Sequence, residues 1–205
     1  IFREIGNRRG EGSTLAGLGF VYRNLGQYKQ AIDFYQQHLE IAREIGDRDG
    51  EGLALSNVSG VYRNLGQFQQ ATESSLAAIE VFESLRDEEI PDAQQITFFD
   101  TQRTPYIHLQ RSLVAQGETQ QALTIAERGR ARAFVSSLSK RQNQEVLSLQ
   151  SPSITEIQRI AQAQNATLVQ YSNVSFSDDE TTQLFIWVVQ PTGGIHFEAV
   201  DLSGF

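Results

Sequence analysis

The side chains with chemical capacity are few: three histidines, seventeen lysines and arginines, and no cysteine. A histidine–cysteine dyad needs a thiolate beside a base, so this chain cannot assemble one, and disulfides and thiolate metal sites fall with it. His196, in "GGIHFEAV", has the type of a general base, but nothing around it supplies a nucleophile, and it reads as structural or solvent-facing. The arginines are more informative. Arg23 and Arg63 hold the same place in two copies of "VYRNLGQ", each followed by an asparagine, Asn24 or Asn64. A guanidinium offers paired donors to a carboxylate and a carboxamide can bond a peptide backbone, so the pattern points to recognition of an acidic peptide. The plain alternative is a copied surface residue paired with Glu11 or Glu51, worth about 0–1 kcal/mol.

Three other motifs carry less. "ERGRARAF" places Arg128 and Arg132 one helical turn apart with Arg130 turned elsewhere. Without interleaved aromatics this is a poor nucleic-acid footprint, and it reads as a charged helix surface or a contact to the segment that follows. "SFSDDETTQ" lacks the alternating ligands and glycine of a calcium loop, and "NVS" and "NAT" match the glycosylation pattern with no secretory signal ahead of them. No cofactor or metal is expected.

Behind these residues stand two duplicated helix pairs. "IFREIGNRRGEG" aligns with "IAREIGDRDGEG", and "VYRNLGQYKQA" with "VYRNLGQFQQA", at an offset of about forty residues. Within the first copy Leu15, Leu18, Val21, Tyr22 and Leu25, then Ala31, Ile32, Tyr35, Leu39 and Ala42, fall at helical spacing. Gly26 and Gly66 suit the left-handed residue that ends a helix. A third copy, "LQRSLVAQGETQQALTIAERGRARAF", sits about fifty residues on, the insertion being assigned to "DEEIPDAQQ". A helix from about Ala93 to Gln116 is expected there, with Pro105 kinking or breaking it.

These pairs resemble the tetratricopeptide repeat. Leu15, Leu18, Gly19, Tyr22, Ala31 and Tyr35 match its motif in the first unit; Leu55, Tyr62, Ala71 and Ala78 match in the second, where Ser59 replaces the glycine and Ser75 the aromatic. The resemblance implies a mainly α, helix-pair solenoid over 1–142, the six residues beyond a basic 34-residue repeat lengthening the second helix and turn. Stacked pairs present a groove lined by their first helices. On that register Phe20, Arg23, Asn57, Arg63, His108 and Arg111 face inward, with Asn24 and Asn64 near the turn. The groove is therefore expected to be basic inside a chain of net charge −8, and to bind a protein or peptide of acidic character.

After a connector at 143–152 the texture changes. "SITEIQRIAQAQ" reads as a helix capped at Ser153; "TLVQYSNV", "QLFIWVVQ" and "IHFEAVDL" read as strands, the last two joined across "PTGG". Leu184 to Val189 is apolar on consecutive positions, the signature of a strand covered on both faces and a hazard for self-association where its edge is open. Residues 153–205 are accordingly expected to be the truncated start of an α/β domain, with Phe205 an artificial end. The order of repeats, "AERGRARAFVSSL" helix and strands is similar to cyanobacterial-type proteins with a CHAT domain, which implies a caspase-like downstream domain whose catalytic pair lies beyond this stretch and whose activity the repeats regulate. A pure scaffold is the alternative, and a nucleic-acid-associated repeat protein a weaker one. With no methionine, no signal segment, no cysteine and no window of about 18 unbroken apolar residues, an internal piece of a cytoplasmic, non-membrane protein is expected.

Overall fold

A computed structural model describes residues 6–85, 92–142, 151–175 and 182–203; in the two helices spanning 92–142 side chains are described for 102–130. Four helices of equal length open the chain: α1 (Arg8–Asn24), α2 (Tyr28–Glu44), α3 (Arg48–Asn64) and α4 (Phe68–Ser84), each of 17 residues. Two longer helices follow, α5 (Asp92–Ala115) and α6 (Thr119–Gln142), then a short α7 (Ile154–Ala163). The chain ends in β1 (Leu168–Asn173), β2 (Gln183–Val189) and β3 (Ile195–Asp201), an antiparallel meander in the order β1-β2-β3. The expected architecture, mainly α with helix pairs followed by one helix and three strands, is the one observed.

The forty-residue period runs from Arg8 to Arg48 and is divided evenly. Its extra length does not lodge in the second helix and turn, as the sequence suggested, because all four helices are alike and every link is three residues long. The reason is a helix stop repeated every half-period. Gly26, Gly46 and Gly66 adopt φ values of 71°, 69° and 71°. Beside each, the next residue's N–H reaches back to the carbonyl five positions earlier: Gln27 to Tyr22 at 2.9 Å, Asp47 to Ala42 at 2.8 Å, Gln67 to Tyr62 at 2.9 Å. This double closure satisfies orphan carbonyls and stops each helix at the same point. Gly117, with φ 81°, repeats it at the end of α5. Asn7 and Asp47 cap α1 and α3 by accepting from the N–H of Gly10 (2.9 Å) and Gly50 (3.1 Å).

Contacts divide the chain into two compact units, Ile1–Ser112 and Leu113–Phe205. This division falls inside α5, earlier than the boundary near residue 142 read from composition. Pro105 does not break α5, which runs through it, and its ring is wholly buried. In the first unit Ala31 and Tyr35 of α2 pack on Val58 and Val61 of α3, while Leu55, Ala78, Val81 and Phe82 form the core of the second pair. Leu18 and Val21, which match Val58 and Val61 in register, are instead 39% and 50% exposed.

The second pair departs from the first at one place. A Cβ on Gly19 would lie 2.6 Å from the Tyr35 ring, so the ring occupies the space a side chain would need. In the second pair Ser59 and Ser75 take these two positions, wholly buried, with their hydroxyls 2.5 Å apart. The two deviations from the repeat motif are one compensated exchange.

In the second unit the central strand β2 has both edges paired, so Leu184–Val189 offers no open edge; the open edges belong to β1 and β3. Nor is β2 equally covered on both faces. Phe185, Trp187 and Val189 are buried on one face, with Phe185, Trp187 and Phe197 in mutual ring contact at 5.3–6.0 Å, whereas Leu184, Ile186 and Val188 on the other are half-buried. The Trp187 indole N–H donates to the Thr119 carbonyl at 2.8 Å, tying the sheet to the start of α6. Arg130 adds a second tie, donating to the Tyr171 carbonyl at 2.8 Å and to the Gln170 side chain. Of the three "ERGRARAF" arginines Arg130 thus bonds the strands; the Arg132 side chain lies outside the described residues.

α7 carries the capping box foreseen at Ser153: its hydroxyl accepts from the Glu156 N–H at 3.3 Å, and its own N–H donates to the Glu156 carboxylate at 2.8 Å. Only Ile157 and Ala161 of this ten-residue helix are buried, so the cap is a large part of what holds it. Ser153→Ala is expected to raise amide exchange in the first turns of α7 by about fivefold while leaving β2 protection unchanged, measured by hydrogen exchange.

Candidate protein-recognition face

The candidate face lies in the first unit, on α1, α3 and the described part of α5. Its deepest member is His108, 5% exposed, which lies so close under Gly60 that a Cβ there would meet the imidazole at 2.9 Å. Glycine is required at this crossing because α5 lays its side chain directly on the α3 backbone. The ring hydrogen-bonds the Ser56 backbone, and burial pushes its pKa down to about 3, with the charges of Arg63, Arg23 and Arg111 acting in the same direction. The imidazole is therefore neutral at physiological pH, and no carboxylate is among the groups that act on it.

That result also locates the arginines. Arg23 from α1, Arg63 from α3 and Arg111 from α5, all half-buried, each carry a charge that acts on this one imidazole. Arg23 reaches further: its guanidinium lies 5.1 Å from the centre of the exposed Phe20 ring, a cation–π arrangement, and its charge acts on the Tyr35 hydroxyl as well. Tyr35 is 1% exposed, and burial raises its pKa more than Arg23 lowers it. Its hydroxyl, shielded from solvent, has no hydrogen-bond partner among the described residues.

Of the eight residues assigned to the groove, Arg23, Arg63, Arg111 and His108 are brought together, with Phe20 beside Arg23. Asn57 is half-buried one turn before Gly60, and Asn24 and Asn64 are exposed at the last positions of α1 and α3. The glutamates of the alternative pairing, Glu11 and Glu51, also have arginine partners from elsewhere. Glu11 accepts from Arg8 at 2.6 Å, and buried Glu51 accepts from Arg43 at 2.9 Å and from Arg48. Sequence reasoning placed Tyr35 only in the packing motif and missed its hydroxyl. It also missed the polar wall of α5, where Gln102, Gln110 and Ser112 are buried beside His108. Consecutive polar residues from His108 to Ser112, relieved only by Leu109, were the available signal.

His196 is exposed on β3 opposite Val188. "SFSDDETTQ" falls largely outside the described residues. Among the described residues no cluster of acidic or imidazole side chains could hold a metal ion, and no helix is long and apolar enough to cross a membrane.

Residues 11–84 match the tetratricopeptide repeat family. Over 121 residues, 58% of its length, the chain is 35% identical to tetratricopeptide repeat protein 28 of Mus musculus and 34% identical to that of Homo sapiens. It spans only 5% of each of those proteins. Among solved structures BtubC (BKLC) from P. vanneervenii is similar at 17% identity and a TM-score of 0.34, covering 69% of this chain and 68% of that one.

Proposed function

We propose that the tetratricopeptide repeats of this chain are a protein-interaction module whose α1–α3–α5 face binds an acidic peptide segment. What supports this reading is that the charges of Arg23, Arg63 and Arg111, carried by three successive first helices, all act on the one buried His108, in a chain whose net charge is −8. Charge of one sign concentrated against the sign of the whole molecule steers ligands of opposite charge to that spot. The half-exposed Phe20 ring beside Arg23 supplies an apolar anchor, and exposed Asn24 and Asn64 supply donors and acceptors for an extended backbone.

The repeats hold no catalytic machinery, and with no cysteine the chain does not cut peptides by a cysteine mechanism. In the intact protein, which we place in the cytoplasm, we propose that occupancy of the face regulates a downstream caspase-like CHAT peptidase. Support comes from the order of elements: repeats, a long helix, then a capped helix and strands that the helix grips through Thr119 and Arg130.

A fluorescence-anisotropy titration with labelled acidic and basic peptides tests the binding. Acidic peptides should bind saturably and weaken as salt rises, and the pair Arg23→Glu with Arg63→Glu should cost more than tenfold in affinity. Equal binding of basic peptides, or indifference to the charge reversals, rejects the reading. In the same titration on the intact protein, an unchanged rate of peptide cleavage rejects the coupling alone.

A further inference from the structure

The ends of the two helix pairs differ at one acceptor. In the first pair Arg8, which opens α1, donates through Nη1 to Glu11 at 2.6 Å. Its Nε–Nη2 edge holds both carboxylate oxygens of Glu44, the last residue of α2, the Nε bond being 3.2 Å long. The second pair keeps the arginine and the first acid: Arg48 opens α3 and donates through Nη1 to Glu51. The second acid is replaced. Ser84 closes α4 where Glu44 closes α2, and Arg48 donates from Nη2 to its hydroxyl at 3.3 Å. That hydroxyl donates in turn to the Val81 carbonyl at 2.6 Å. The guanidinium edge that meets two carboxylate oxygens in the first pair therefore meets one hydroxyl oxygen in the second, on a serine that is exposed.

We propose that Ser84 is a phosphorylation site and that Arg48 is the receptor of its phosphate. Side-chain length carries the argument. A phosphoserine runs Cα–Cβ–Oγ–P–O and a glutamate Cα–Cβ–Cγ–Cδ–Oε, so phosphate oxygens at 84 stand as many bonds from the backbone as the carboxylate oxygens of Glu44, at the same place on an equivalent helix. Phosphate there restores the clasp that Arg8 and Glu44 hold permanently, with about −1.5 to −2 charges and three strong acceptors for the planar fork. The modification is a transfer from a nucleoside triphosphate by a protein kinase. The Oγ–P bond forms as the γ-phosphorus parts from its bridging oxygen, the nucleoside diphosphate leaves, and the hydroxyl proton passes to a base of the kinase. An exposed serine at a fraying helix end is open to such an enzyme. Apart from Arg48 the surroundings oppose the charge. A phosphate is disfavoured at the negative end of a helix, and Glu80 and Glu83 of α4 add like charge. Arg48 thus sets the sign of the effect: with it, phosphorylation fastens the start of α3 to the end of α4; without it, phosphorylation loosens the end of α4.

The test uses the whole chain with phosphoserine installed at 84 by genetic encoding and follows the phosphate by phosphorus NMR as pH is varied. A free phosphoserine loses its last proton near pH 6, and the one at 84 should titrate lower by about half a unit or more. In Arg48→Gln, where Glu51 keeps its bond from Arg43, the titration should return to about pH 6 or above. Arg48→Lys, which keeps the charge but loses the fork, should fall between the two. Amide exchange in the last turn of α4 should slow by about threefold or more in the phosphorylated chain and in Ser84→Glu, and should quicken on phosphorylation of Arg48→Gln. A phosphate that titrates alike in the parent chain and in Arg48→Gln overturns the proposal. Use of the site is read by mass spectrometry of the intact protein, purified from its own growing and starved cells with phosphatase inhibitors present. Phosphate on Ser84 is the expected result; phosphate on other residues alone, or on none, overturns the proposal equally.

Discussion

Ser75→Tyr is expected to destabilise the first unit by about 3–5 kcal/mol, and adding Ser59→Gly to recover at least half of that loss. The argument is one of space and hydrogen bonding together. In the first pair the Tyr35 ring fits only because residue 19 has no side chain, a Cβ there falling 2.6 Å from the ring. In the second pair the same two backbones enclose a pair of serines, both wholly buried. A ring introduced at 75 alone meets the Ser59 side chain, which gives overpacking of about 1–3 kcal/mol, and strands the Ser59 hydroxyl, which costs about 1–3 kcal/mol more. Glycine at 59 removes both penalties and recreates the arrangement of the first pair. A double-mutant cycle in urea denaturation, followed by far-ultraviolet circular dichroism, reads the coupling directly. Additive losses, with the double substitution as unstable as the sum of its parts, would show that the two pairs do not share one packing solution.

The same pair shows where sequence reading stops. The duplicated segments, the glycine stops and the capping box at Ser153 are local: each depends on a few neighbouring residues, so their chemistry is visible in order along the chain. Ser59 and Ser75 lie on different helices, and taken one at a time each looks like the loss of a motif position. Only their 2.5 Å contact reveals a substitution of one packing unit for another. Pro105 is a similar case. Propensity argues for a break, but the helix continues because its surroundings are well packed, with Tyr106, Ile107 and Leu109 all buried next to it. The apolar run at 184–189 gave the strand but not its place in the sheet, since a hydrophobic run cannot distinguish a central antiparallel strand with one half-covered face from a strand buried on both sides.

The recognition face was legible in outline and not in depth. Repeat register put Arg23, Arg63, His108 and Arg111 on one side because equivalent positions in stacked pairs face the same way. Register says nothing of how far a side chain sinks, so the fully buried His108 and the exposed Asn24 and Asn64 looked alike in the sequence. Tyr35 was classified by its ring, which packs against Gly19, and nothing in the sequence signals that its hydroxyl is buried with no hydrogen-bond partner among the described residues.

Acid should unfold the first unit through its histidines before its carboxylates. The folded-state pKa of His108 is about 3, against about 6.5 for a free imidazole; that of His38 is also lowered, by burial, with Asp47 opposing. Both folded values lie below the unfolded ones, so below pH 6.5 the unfolded chain takes up protons that the folded chain refuses. The stability contributed by the neutral rings is complete above pH 6.5 and is lost as pH falls from there towards about 3. For His108 the slope is about 1.4 kcal/mol per pH unit, or about 2 kcal/mol between pH 6.5 and 5, with His38 adding in the same sense. Glu44, Glu156 and Asp201 have lowered pKa values, from the hydrogen bonds of Arg8 and of Ser153 and Ser203, and so lose their contributions only further into acid. Asp49, whose pKa burial raises, acts in the opposite sense to the imidazoles as pH falls. His108→Asn, which installs the residue found at the matching position 57, should lower stability at pH 7 through lost packing while flattening this part of the profile. Urea midpoints at half-unit pH steps measure it. A profile for His108→Asn as steep as that of the parent chain would mean that His108 takes up its proton in the folded state, and that the three arginines do not enclose it as described.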